Sequence, residues 1–102
     1  MNRNLSEEQF PTTLYHRTSP ENAENIRSSR YFKGSPYPGE RGQVWASTHL
    51  GGQATGYGKG VVTINLPKDK RRRPAMALED EFPSGEQHWV FQAEDIKPRW
   101  IK

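Results

Sequence analysis

The chain has 102 residues, of which 31% are hydrophobic and 11% aromatic, with a mean hydropathy of −1.03. That is the length of one domain with a thin core, and no apolar run is long enough to cross a bilayer as a helix. The absence of cysteine excludes disulfides and thiolate metal sites, and a formal net charge of +3 favours anionic partners such as nucleotides, nucleic acid or an acidic inhibitor.

Residues 1–11 read as a flexible lead-in to a single domain over 12–102. Residues 2–9 contain no apolar run and hence no signal-peptide core. A short strand is expected over 12–16, with Leu14 as its apolar residue and Tyr15 and the threonines as strand formers. Ser19-Pro20-Glu21 then combines a capping side chain, a proline suited to the first helical position and an acid at the positive end of the helix dipole. It predicts a helix over Pro20–Ser29 with Ala23, Ile26 and the aliphatic stem of Arg30 on one face. Residues 32–42 hold several glycines and prolines without periodicity and read as a loop.

A strand over 43–48 follows, with Val44, Ala46 and Thr48 on one face and Trp45 and Ser47 on the other. Residues 51–57 read as a weak helix or a loop. Val61-Val62-Thr63-Ile64 makes 60–66 a strand, ended by Pro67. The charged, proline-bounded stretch 68–85 reads as a long connection. Trp89, Val90 and Phe91 mark a strand over 88–92, 95–98 a turn, and 99–101 a final short strand. Strands accompanied by one clear helix indicate an α+β fold rather than repeated βαβ units.

His16 stands at a strand end before a helix cap, where a ring N–H can donate to a ligand hydroxyl. A surface histidine or one supporting another site residue satisfies the same pattern. Glu86 precedes a strong strand, where a carboxylate can accept from ribose hydroxyls and stabilise a developing oxocarbenium ion, or simply be a charged residue at a strand entrance. Trp45 and Tyr57 can stack on a flat ring or pack in the core. Ser47 and Thr48 can bond a ligand or their own strand. The basic run 68–73 can contact phosphates or be a solvated loop. The lysine among glycines at 56–60 lacks P-loop spacing, the three histidines lack zinc-ligand spacing, and His88 reads as a solvent-facing strand residue.

The order of these features resembles a known family. Leu14-Tyr15-His16-Arg17-Thr18 resembles the "YHGT" strand of diphtheria-toxin-like and poly-ADP-ribose-polymerase-like ADP-ribosyltransferases. Gln43-Val44-Trp45-Ala46-Ser47 resembles their "GxYFA" strand, with Trp45 at the tyrosine position. Residues 54–57 are similar to the "SANY" segment, and 85–91 followed by Asp95-Ile96-Lys97-Pro98 resembles the catalytic "NEYIVY" strand and its trailing turn. Glu86 or its neighbour Gln87 falls at the catalytic position. The resemblance covers about Leu14 to the end, and small bacterial H-Y-E or HYD1-like toxin domains are nearest in size.

The resemblance implies a small split-sheet fold with few helices and NAD as substrate. His16 would hold a ribose hydroxyl, the Arg17 backbone the nicotinamide amide, and Tyr57 and Trp45 the nicotinamide faces. Thr18 and Ser47 would complete the NAD-binding set, and Glu86 would be catalytic. The activity would be that of an ADP-ribosyltransferase or NAD glycohydrolase, with the acceptor open between a protein side chain, a nucleic acid, a small molecule and water. As a toxin or effector domain the chain would act in the cytoplasm, reach it through a secretion system, and meet an immunity or inhibitor protein. Two further classes fit the residues: a metal-free ribonuclease using His16, His88, Glu86 and Arg71 to Arg73, and a non-catalytic nucleotide or RNA binder.

Overall fold

The computed structural model describes residues 10–102. It is a small α+β fold: one five-stranded antiparallel sheet with a single α-helix packed against it. The strands are β1 (Thr13–Thr18), β2 (Gln43–Ser47), β3 (Gly60–Asn65), β4 (Met76–Glu81) and β5 (Gln87–Gln92), in the order β3-β1-β2-β5-β4. The helix α1 spans Pro20–Ser29. Of the expected lead-in, residues 1–9 lie outside the described residues, and Phe10 stacks against Trp89 with ring centroids 5.3 Å apart.

The helix forms where its sequence signals place it. Ser19 Oγ accepts from the Asn22 N–H at 3.1 Å, and Ala23 and Ile26 are buried. Arg30 does not extend the apolar face. It takes the left-handed conformation that ends the helix, and its guanidinium donates to the Ile101 carbonyl at 2.9 Å. In β3, Val62 and Ile64 are fully buried while Val61 and Thr63 are half-buried, the alternation of a strand with one core face. Leu14, Val44, Ala46, Trp89 and Phe91 join them in the core under α1. Each large apolar side chain buried this way stabilises the fold by about 1.5–3 kcal/mol.

Two expectations of strand placement are corrected. The connection expected over 68–85 contains a strand: β4 pairs with β5 from Met76↔Phe91 to Glu81↔Gln87, with a bulge between Leu78 and Asp80. Its sequence, Met-Ala-Leu-Glu-Asp-Glu, is acidic because β4 is a sheet edge, where charge discourages pairing with other chains. The final strand expected over 99–101 is a 3-10 turn at Pro98–Trp100, with Ile101 alone bridging to Ile64.

β4 and β5 are joined by a tight turn in which the Phe82 N–H donates to Glu86 O and the Gly85 N–H to Phe82 O, both at 2.9 Å. This hairpin sets Glu86 at the head of β5. β1 pairs with β3 over six residues and β2 with β5 over five, yet β1 and β2 share only Tyr15↔Ser47. The sheet opens at that rung.

Candidate functional site

A cleft of about 1220 Å³ occupies the opening between β1 and β2. It is lined by residues 15–17 of β1, the whole of β2, a side of α1 that includes Ile26, the loop over 31–40, Glu79 and Asp80 of β4, and His88 of β5. His16, Arg17, Trp45, Ser47 and Tyr57 all line it; Thr18 and Glu86 do not.

His16 is anchored by its Nδ1, which lies 2.8 Å from the Trp45 carbonyl, and its ring meets Phe32 edge-on at 5.1 Å. Burial lowers its pKa from the ordinary 6.5, against a smaller upward pull from the Trp45 carbonyl. The imidazole is thereby held neutral at pH 7. A carbonyl can only accept, so Nδ1 carries the proton and Nε2 presents a lone pair. This reverses the polarity expected from the sequence: Nε2 is left to accept a hydrogen bond rather than to donate one.

Glu86 is 2% exposed. Its Oε2 accepts from Ser47 Oγ at 2.8 Å and from His88 Nε2 at 2.7 Å, and its Oε1 from the Gln53 N–H at 3.0 Å. Burial alone would raise its pKa. The donors on Gln53, His88 and Ser47, together with the charge His88 can carry, outweigh burial and bring it down from 4.5 to about 2. The result is an ionised carboxylate set behind Ser47 and His88, both of which line the cleft, and covered by the backbone of Gly52 and Gln53.

Gln87 faces away from this cluster. Its Oε1 accepts from the Trp89 indole at 3.1 Å and its Nε2 donates to Glu81 at 3.2 Å. Of the two candidates, Glu86 is the one beside the cleft.

The Arg17 guanidinium donates to the Leu50 carbonyl, with Nε at 3.2 Å, and to the Gly58 carbonyl at 3.3 Å. It therefore fastens both ends of the segment that covers Glu86. That segment contains a 3-10 helix, Gln53–Tyr57, whose one buried residue is Ala54, and it carries the exposed Tyr57 to the cleft. Thr18 accepts from Asn22 Nδ2 at 2.8 Å and so holds a cleft-lining side chain of α1. Ser47 Oγ also accepts from the His49 N–H at 3.0 Å.

His88 does not face solvent as its position suggested. It lies opposite Ser47 on β2 and Asp80 on β4, and its side chain is 14% exposed. The period-two spacing of Glu86 and His88 along β5 is the sequence signal that puts both on one face. Tyr31 and Tyr37, exposed in the loop after α1, are further cleft residues that sequence alone did not single out.

The basic run contributes no cleft residue. Arg73 donates to the Pro67 carbonyl at 2.9 Å and lies over the Phe10 ring, and Arg71 pairs with Asp69 at 3.6 Å. Comparison with protein-family models, curated proteins and solved structures finds no match to this chain.

Proposed function

We propose that this domain is an NAD-dependent ADP-ribosyltransferase or NAD glycohydrolase of the toxin or effector kind. The observation that carries the proposal is the buried, ionised Glu86 behind Ser47 and His88 in a cleft that the neutral ring of His16 also lines. NAD enters as substrate. A ribose hydroxyl donates to His16 Nε2, the Arg17 backbone meets the carboxamide, and Trp45 and Tyr57 flank the nicotinamide. A second ribose hydroxyl reaches Glu86 Oε1 by displacing the Gln53 N–H. As the C1′–N bond breaks, nicotinamide leaves neutral with the bonding pair and positive charge grows on the ribose. A fixed carboxylate in a water-poor site stabilises that charge strongly. The acceptor is a side chain, a nucleic acid or water, and an inhibitor protein that covers the cleft would silence the domain.

The test is nicotinamide release from NAD by the purified protein, compared with Glu86→Gln and His16→Ala, with folding checked by circular dichroism. Turnover lost in both folded variants supports the proposal. No turnover and no NAD binding by the wild-type protein overturns it.

A second reading is favoured by the placement of His16 and His88 on the same cleft, with a carboxylate behind His88. Two imidazoles of that kind suit metal-free acid–base cleavage of RNA. Cleavage of RNA in the presence of a chelator, lost in His16→Ala and His88→Gln, would establish it in place of the first.

A further inference from the structure

We infer that His88 is the general base of the transfer step, and that the acceptor it serves is a group that loses a proton on transfer, of which the hydroxyl of water, a side-chain alcohol or a ribose is the simplest. The inference rests on the transferase proposal and adds the residue that activates the nucleophile.

The geometry is that of an imidazole oriented by a buried carboxylate. His88 Nε2 lies 2.7 Å from Glu86 Oε2. A carboxylate with a pKa of about 2 only accepts, so Nε2 carries the proton. In the neutral ring Nδ1 then holds a lone pair, and it has no hydrogen-bond partner among the described residues. The ring is held by the bond to Glu86 and by Phe82, which packs edge-on at 4.9 Å. Glu86 lies behind the cleft wall while His88 forms part of that wall. The group able to meet an incoming nucleophile directly is thus the histidine, and the carboxylate holds it in the tautomer a base requires. A base oriented by a third group is the recurring arrangement for activating weak nucleophiles.

The step balances. The acceptor oxygen forms a bond to C1′ as the bond from C1′ to nicotinamide breaks. Nicotinamide departs neutral, and the acceptor's proton passes to His88 Nδ1. The imidazolium then keeps its Nε2–H on Glu86 until Nδ1 releases the proton to solvent. A hydroxyl needs this help because it must lose a proton to become a stable product. A carboxylate acceptor arrives without one and needs no base.

The experiment uses the full chain with NAD and water as acceptor. His88→Gln keeps an N–H for Glu86 and removes the base. Nicotinamide release is expected to fall by about 10²-fold or more. Sodium azide, a nucleophile with no proton to lose, is expected to restore release in His88→Gln with ADP-ribosyl azide as product, and to leave Glu86→Gln inactive. Wild-type turnover in His88→Gln, or a folded, inactive His88→Gln that azide does not restore, overturns the role of His88 alone. A wild-type protein that releases no nicotinamide overturns the transferase proposal and this inference with it. Should His88→Gln not fold, wild-type product partitioning between water and azide decides. A larger azide fraction in D₂O than in H₂O is the expected result, and an unchanged fraction is the contrary one.

Discussion

Gly52 and Glu86 leave no room between them: a Cβ on Gly52 would lie 2.5 Å from Glu86 Oε1, and Gly52 holds φ at +121°. The glycine has two independent reasons to be there, since the backbone conformation is one that other residues rarely adopt and the space belongs to the carboxylate. Gly52→Ala must move either the segment or Glu86. We expect a loss of about 1–3 kcal/mol, seen as a lower urea midpoint, together with faster exchange of the Gln53 amide.

Arg17 makes a different prediction. Its guanidinium ties Leu50 and Gly58 to β1, while the Gln53–Tyr57 helix between them buries only Ala54. Removing the guanidinium in Arg17→Met should loosen the segment and leave the sheet intact. Bonds from charged donors contribute about 1.5–3 kcal/mol, so amide protection at Gln53, Thr55 and Gly58 should fall roughly tenfold or more. Protection at Val62 and Trp89 should hold. Hydrogen exchange read residue by residue checks both halves.

The pH dependence of stability follows from two groups whose folded pKa values lie below their unfolded ones. For Glu86, ordinary pKa 4.5 and folded pKa about 2, the stabilising contribution is fully present above 4.5 and is lost as pH falls toward 2. For His16, lowered from 6.5 by burial, the unfolded chain also binds the proton first. Its contribution is complete above 6.5 and declines as pH falls through the depressed folded value. Urea midpoints measured from pH 8 to pH 2 should therefore fall in both regions. Glu86→Gln should lose the decline between 4.5 and 2, and His16→Gln the one that begins near 6.5.

Local chemistry made part of this architecture readable. The helix start needed only Ser19, Pro20 and Glu21, whose capping and dipole roles are decided within one turn. β3 was legible because a β-branched row at period two has few other uses. β4 was hidden because an edge strand with a bulge has no need of alternating apolar residues, and its acidic face looks like a loop. In the site, His16, Trp45, Ser47 and Tyr57 were recognisable one by one. The partnership of Glu86 with the Gln53 N–H was not, since a backbone donor leaves no mark in the sequence and the two are 33 residues apart. His88 entered only through the ribonuclease alternative and was read as facing solvent, because a polar residue in a strand suggests solvent until the facing strand is known to offer a serine and the same face a buried acid.

The single rung between Tyr15 and Ser47 makes the sheet two stiff plates on one hinge, β3-β1 on one side and β2-β5-β4 on the other. Opening that seam breaks one paired position and the His16–Trp45 bond, whereas opening any other seam of the sheet breaks a ladder of five or six. We therefore expect the width of the cleft to be what changes most easily within the sheet. Any molecule that grips both walls acts as a rivet, and its binding should register as stiffening across the whole fold rather than at the contacts alone.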